Sequence, residues 1–211
     1  MEKNIQTNFS DGSNVFFTSD THFSHENIMH FCNRPFKTVE EMNNALIDNW
    51  NKVVNKDSIV FHLGDFAWGN NWMPFLNKLN GHKILIMGNH DFKNKDATAF
   101  KNGFYYVCQQ LYINIEHRKV ILNHCPLLCY GGTYRVDNDK VYQLFGHVHS
   151  GPYNTELNAG LDMVRLSNLF PTQYDVGVDN NNFTPISWYE VNEKINKQLL
   201  YGNKEYFYKS K

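Results

Sequence analysis

Carboxylate, amide and imidazole side chains follow five apolar segments of this 211-residue chain, each at the point where the segment ends. In "DTH" and "HVH" the two outer side chains point to the same side of an extended chain, because side chains alternate with a period of two. Oxygen and imidazole ligands without thiolates suit Mn, Fe, Zn or Ni rather than a cysteine-rich structural zinc site. Such a set is too large for one tetrahedral ion and suits two ions that share a bridging carboxylate. The candidate ligands are Asp20, His22, Asp65, Asn89, His124, His147 and His149.

The charge of this set indicates what the site would bind. Two divalent cations facing only the carboxylates of Asp20 and Asp65 would leave excess positive charge. That charge favours an anion such as phosphate, and the ions would lower the pKa of a bound water toward neutrality. The sequence therefore indicates a site that binds an anion and activates a water.

The segments that carry these residues are predicted to be strands that alternate with helices. Residues 14–20, 58–65 and 82–91 are apolar runs typical of buried strands, and each ends in polar residues. Residues 38–54 predict an amphipathic helix that starts with the capping box of Thr38 and Glu41. The helix would face the core through Val39, Met42, Leu46, Trp50 and Val53.

The second half of the chain continues this pattern. Residues 104–126 predict three strands with a turn at 116–118, residues 141–151 a further strand, and residues 172–200 a last strand, a loop and a closing helix. The alternation predicts the α/β class with strands buried on both faces. In such sheets ligands bind outside the carboxyl ends of the strands, so we expect the polar strand ends to converge.

Composition sets broader bounds. A net charge of −1 and a pI near 6.8 give no overall basic field for nucleic acid. The start of the chain carries no apolar signal segment, and no run is long enough for a membrane span. The four cysteines form no CxxC pair and are predicted to be reduced thiols in a cytoplasmic protein. No linker divides the chain, so residues 1–211 are expected to form one domain.

At this point the motifs resemble a known family. "DTH", the Gly-Asp at 64–65, "GNHD" at 88–91, His124 and "GHVH" at 146–149 resemble, in order, the signature of the calcineurin-like metallophosphoesterase superfamily. The stretches "SDTHFSHENIMHFCNRPF" and "DVGVDNNNFTPISWYE" resemble a small bacterial and phage-encoded branch of it. The resemblance implies the metallophosphoesterase fold, a four-layer α-β-β-α sandwich of two mixed sheets.

The resemblance also implies a role for each ligand. One divalent ion would be held by Asp20, His22 and His149, and the second by Asn89, His124 and His147, with Asp65 bridging the two. Mn is the first expectation for both ions, with Fe, Ni or Zn as alternatives.

The implied mechanism uses two further residues. A hydroxide shared by the ions would attack phosphorus, while His90 would act as the general acid on the leaving oxygen. Asp91 would orient His90 from behind.

Other residues are candidates for binding the substrate. His25 could reach the phosphate or cap the local helix, and the guanidinium of Arg34 could clamp the phosphate or be solvated before a proline. Arg135 is a weaker candidate of the same kind. Phe66 and Trp68 could stack on a nucleobase, but aromatic residues directly after a strand are more often core, and core is our prediction.

The function predicted from these features is metal-dependent hydrolysis of a small phosphodiester or phosphomonoester, with a nucleotide as one candidate. The stretch "GDFAWGNN" lacks the Asp-Arg-Gly run that usually extends this motif in protein phosphatases, which argues against that class. One alternative is a non-catalytic protein-interaction scaffold, which is usually marked by a broken ligand set; here the set is intact. A metal-dependent nuclease is another, but the near-neutral charge disfavours extended DNA binding.

Overall fold

The computed structural model describes residues 5–93, 97–131, 141–153 and 168–201. The strands are β1 (Asn8–Phe9), β2 (Val15–Thr18), β3 (Ile59–His62), β4 (His82–Ile86), β5 (Tyr106–Cys108), β6 (Gln110–Ile115), β7 (Arg118–Asn123), β8 (Val141–Phe145), β9 (Gln173–Asp175) and β10 (Ile186–Ser187). The helices are α1 (Glu26–Phe31), α2 (Val39–Val53), α3 (Met73–Leu76), α4 (Asn89–Lys93), α5 (Ala97–Gly103) and α6 (Trp188–Tyr201).

The strands form two five-stranded sheets, with the orders β10-β2-β3-β4-β5 and β1-β6-β7-β8-β9. In the first sheet β2 to β5 run parallel and β10 is antiparallel. In the second, the β6–β7 hairpin is antiparallel and the other pairs are parallel. The predicted α/β class with two mixed sheets is confirmed. The two-residue edge strands β1 and β10 were not predicted, because they are too short to give a periodic signal.

Neighbouring residues of the first sheet point into different cores. Phe17 and Phe61 stack at 5.6 Å in the core between the sheets, which also contains Val120 and Leu122 of the second sheet. Phe16, the neighbour of Phe17, belongs instead to the core under α2. This alternation explains why these strands are continuously apolar: both faces of the sheet are covered.

Helix α2 forms at the predicted position and packs on the outer face of the first sheet. Thr38 accepts a hydrogen bond from the backbone N–H of Glu41 (3.1 Å), while the Glu41 carboxylate accepts one from the N–H of Lys37 (2.8 Å) instead of from Thr38. The core-facing stripe ends at Trp50, since Val53 is 39% exposed and was wrongly assigned to the core. Helix α6 packs beside β2 and β10 of the first sheet and β9 of the second sheet. None of the described helices combines the length and apolar character needed to cross a membrane.

Candidate metal centre

The chain turns sharply where the strands end, and the candidate ligands occupy these turns. Five of the candidate ligands adopt the left-handed backbone conformation, which L-residues rarely adopt. Such backbone strain persists only where surrounding contacts impose it, and it occurs preferentially at functional sites. The five residues and their φ angles are Asp20 (58°), His22 (48°), Asp65 (55°), His147 (72°) and His149 (48°).

Backbone hydrogen bonds hold these turns together. The N–H of Asp20 donates to the carbonyl of Gly64 (2.9 Å), and the N–H of His22 donates to the carbonyl of Asp65 (3.0 Å). In the second sheet, the N–H of Gly146 donates to the carbonyl of His124 (2.8 Å). These hydrogen bonds hold the carboxyl ends of neighbouring strands close together, as expected for the ligand-binding end of an α/β sheet.

The first ligand group consists of Asp20, His22 and His149, whose ligand atoms lie within 4.8 Å of one another. Asp20 Oδ1 and His22 Nε2 are buried and have no hydrogen-bond partner. A buried polar atom without a partner is costly, so two of them at one point need an explanation. Divalent cations take carboxylate oxygen and imidazole nitrogen as ligands, so the residues present fit such an ion.

The second group is arranged around His124. Its Nδ1–H donates to the carbonyl of Leu63 (2.7 Å), which leaves Nε2 free of a proton in the neutral ring. Nε2 lies 3.0 Å from Asn89 Oδ1 and 3.2 Å from His147 Nδ1. When His124 is neutral, these three atoms are all able to bind a cation, and they converge at one point.

Asp65 lies between the two groups. Its Oδ2 is 3.6 Å from His22 Nε2 and 3.5 Å from His124 Nε2. One carboxylate oxygen therefore faces an imidazole of each group, which is the position expected of a bridging ligand.

The pKa values of the histidines in the site are shifted because buried imidazoles and carboxylates lie close together there. Burial opposes a proton on His124, but the hydrogen bond with Asp65 and the charges of Asp20 and Asp65 raise the pKa of His124 to about 9. His149 is similarly buried, and the neighbouring carboxylates of Asp20 and Asp179 raise its pKa well above the usual value. Burial, followed by the nearby His149, lowers the pKa of His22. Protons thus compensate the carboxylate charges that divalent cations would otherwise neutralise.

His90 lies beside the ligands and outside the groups that they form. Its Nε2 is 4.0 Å from Asp65 Oδ2, and its side chain is 24% exposed. The backbone N–H of His90 donates to Asp65 Oδ1 (2.8 Å), which fixes the start of α4 against the site. The imidazole can therefore reach a molecule bound at the open side.

The contacts of Asp91 are made to the backbone of two turns. Its buried carboxylate accepts hydrogen bonds from the backbone N–H groups of Asp65 (2.7 Å), Phe66 (3.1 Å) and Gly88 (2.8 Å). Burial raises the pKa of Asp91 to about 6. Asp91 therefore ties the turn after β3 to the turn after β4, which positions Asp65, and its predicted role in orienting His90 stays a prediction.

Arg34 also has a different role from the phosphate clamp that was expected. Its guanidinium is buried and donates to both carboxylate oxygens of Asp179, Nε to Oδ1 (2.8 Å) and Nη2 to Oδ2 (2.9 Å). Nη2 also donates to the carbonyl of Asp20 (2.8 Å), and Nη1 to that of Thr21 (3.2 Å). With its donors engaged behind the site, Arg34 supports the turn that carries Asp20 and does not face a substrate.

Asp179 is a residue of the site that sequence reasoning missed. Its Oδ2 lies 2.8 Å from Nδ1 of His149, and its carboxylate pairs with Arg34 at the same time. A carboxylate behind a ligating imidazole fixes the ring and its tautomer. The only sequence signal was its place in "DVGVDNNN", a stretch that was used for resemblance alone.

The remaining candidates separate by burial. His25 is buried; its Nδ1 lies 3.4 Å from Nδ1 of His22, its ring stacks on Trp68, and its side chain makes no capping bond to α1. Phe66 is fully buried, as predicted, but the prediction of a core position for Trp68 was wrong, since its side chain is 48% exposed. Arg135 lies outside the described residues.

Comparisons with known proteins agree with this geometry. The family model of the calcineurin-like phosphoesterases matches residues 13–197. An uncharacterized protein of Methanocaldococcus jannaschii is 45% identical over 178 residues, which cover 82% of this chain and 86% of that protein. The gene 66 protein of Mycobacterium phage L5 is 30% identical over 166 residues, 65% of this chain and 78% of that protein. A crystal structure of a protein of unknown function from Aquifex aeolicus superposes with a TM-score of 0.63 at 26% identity, covering 85% of this chain and 97% of that one.

Two mixed sheets with carboxylates and imidazoles at their carboxyl ends define a metal-dependent phosphoesterase. The chain belongs to the calcineurin-like phosphoesterase family and is a phosphoric ester hydrolase. Membership of this family implies divalent metal ions at the site.

Proposed function

We propose that this protein hydrolyses a small phosphodiester or phosphomonoester with two divalent ions, Mn in the first place. The observation that carries the proposal is the pair of unpartnered buried atoms, Asp20 Oδ1 and His22 Nε2, next to a carboxylate that faces both ligand groups. An interaction scaffold would gain nothing from keeping such costly atoms unpaired.

In this proposal Asp20, His22 and His149 would hold one ion, Asn89, His124 and His147 would hold the other, and Asp65 would be shared between the two groups. When bound, the ions supply Lewis-acid polarisation of the phosphate and an activated water at neutral pH.

The protein's own residues then protonate the leaving oxygen and hold the ligand residues in position. His90, partly exposed and 4.0 Å from Asp65, donates a proton from its imidazole to the leaving oxygen of the ester. The hydrogen bond from its backbone N–H to Asp65 Oδ1 holds the main chain of His90 next to the ligands. Asp91 and the Arg34–Asp179 pair hold the turns that present the ligands.

The proposal is tested by metal content and by His90→Ala. Purified protein should bind about two Mn per chain and hydrolyse bis-p-nitrophenyl phosphate or p-nitrophenyl phosphate, and EDTA should abolish turnover. His90→Ala should keep both ions and lose about 10²- to 10⁴-fold in kcat, most for esters with poor leaving groups. His30→Ala, at an exposed position of α1, is the matched control and should retain full activity.

Two results would contradict this assignment. Loss of one metal equivalent in His90→Ala would make His90 a ligand rather than an acid. Equal turnover before and after chelation would remove the mechanism altogether.

A further inference from the structure

A half-exposed tryptophan stands at the edge of the metal centre. Trp68 is 48% exposed, although its neighbour Phe66 is fully buried. Its backbone is well anchored: its N–H donates to the carbonyl of Phe23 (2.8 Å), and Phe23 forms a parallel bridge with Ala67. The exposed indole therefore belongs to a fixed segment.

One face of this indole is covered by His25. The two rings are 4.0 Å apart and only 8° from parallel, so the imidazole lies flat on the indole. Phe31, itself exposed, contacts the edge of the same imidazole at 6.4 Å.

Within the described part of the chain, no ring stacks on the face of the indole that points away from His25, the open face, and the side chain is 48% exposed. The ring centroids of His25, Trp68 and His90 form a triangle with sides of 4.0, 5.3 and 6.0 Å. The angle at Trp68 is close to a right angle, so His90 lies at the edge of the indole and not over its second face. The next residue along the chain, Gly69, also lies in open space, because a Cβ added to it would have no heavy atom within 4 Å.

We propose that the open face of Trp68 stacks the base of a nucleotide whose phosphate lies at the metal centre. His90 lies beside the indole, with 5.3 Å between the two ring centroids, so a base stacked on the open face would lie near His90 without touching it. One sugar ring can connect such a base to an oxygen next to the His90 imidazole. The nucleoside oxygen would then lie at the proton donor, and the base would lie on the aromatic surface. The proposal rests on the proposed function and adds its substrate class.

Matched ligands with and without a base measure this contact. Adenosine 5′-monophosphate and ribose 5-phosphate, each tested as an inhibitor of bis-p-nitrophenyl phosphate hydrolysis, share the phosphate and the sugar. In the wild type the nucleotide should inhibit about 5- to 100-fold more tightly, the range of one base–aromatic stacking contact. Trp68→Ala should remove this preference, Trp68→Phe should keep part of it, and Tyr112→Ala, at an exposed position of β6, should leave it unchanged.

Fluorescence gives a readout that needs no turnover. The other three tryptophans, Trp50, Trp72 and Trp188, are buried, so acrylamide should quench mainly Trp68. Saturating nucleotide should protect the quenchable fraction of the Mn-loaded wild type, and ribose 5-phosphate should not.

The outcomes separate the two proposals. Equal inhibition by both ligands in the wild type, or a preference that survives Trp68→Ala, would overturn the stacking site while metal-dependent hydrolysis stands. Absence of metal-dependent hydrolysis would overturn the proposed function, and fluorescence protection would then decide whether the nucleotide still binds at Trp68.

Discussion

Removing the charge of Asp179 should affect both the stability of the fold and its affinity for metal. Asp179→Asn keeps the shape of the side chain but leaves the buried guanidinium of Arg34 without a counter-charge. Breaking a buried ion pair by removing one partner costs about 3–5 kcal/mol of unfolding free energy. The variant also weakens the acceptor for Nδ1 of His149, and loss of such support typically lowers metal affinity about 10- to 100-fold.

These two effects can be measured separately. Urea unfolding in EDTA reports the free energy of unfolding of the metal-free protein, and calorimetric titration with Mn reports affinity. The double variant Arg34→Met/Asp179→Leu removes both charges from the buried site, so it should regain much of the stability. It should not regain Mn affinity, because His149 still lacks its carboxylate. Glu193→Gln, in the exposed pair of α6 with Lys197 (2.6 Å), is the control and should cost under about 0.5 kcal/mol.

An Asp179→Asn protein whose unfolding free energy is within about 1 kcal/mol of the wild type, with unchanged Mn affinity, would refute both roles of Asp179. A double variant less stable than Asp179→Asn would contradict the ion-pair part of the explanation. The pKa of Asp179 offers a further check. Burial alone would raise this pKa, but Arg34 and then His149 lower it to about 2. The ionised carboxylate therefore stabilises the fold fully when the pH is above the pKa of Asp179 in the unfolded chain, and this stabilisation is lost as the pH falls toward 2.

Two further predictions concern the turns and the protons of the site. Gly64→Ala should weaken Mn binding in calorimetric titration, because residue 64 has a φ of +102° and its Cβ would lie 2.7 Å from Nδ1 of His124. Gly69→Ala shares the positive φ (+71°) but meets open space, so equal affinities of the two variants would contradict this explanation. Mn binding at pH 7 should release protons, because the pKa of His124 is raised to about 9 and the pKa of His149 is raised as well. The part that comes from His124 should decline as the pH rises through 9, as measured in buffers of different ionisation enthalpy, and no release at pH 7 would refute the prediction.

Much of the fold and of the candidate centre was visible in the sequence because the signals are local. The periodicity and cap of α2 depend on residues within one or two turns of helix. The apolar strands and the metal-compatible residues directly after them are contiguous in the chain, so they could be recognised before their partners were known. The general rule that carboxyl ends of parallel strands share one edge then predicted that these residues would converge.

Tertiary structure alone decided which polar and aromatic residues face the substrate side. Arg34 in "NRPF" has the chemistry of a phosphate clamp, yet it pairs with Asp179, 145 residues further along the chain. Phe66 and Trp68 are two positions apart and of similar character, and one is buried while the other lies at the mouth of the site. Burial and ion pairing depend on which distant segments pack together, and a local sequence pattern does not show which segments those are. The sequence by itself determined the chemistry available at the strand ends, and long-range packing determined which side chains are free to use it.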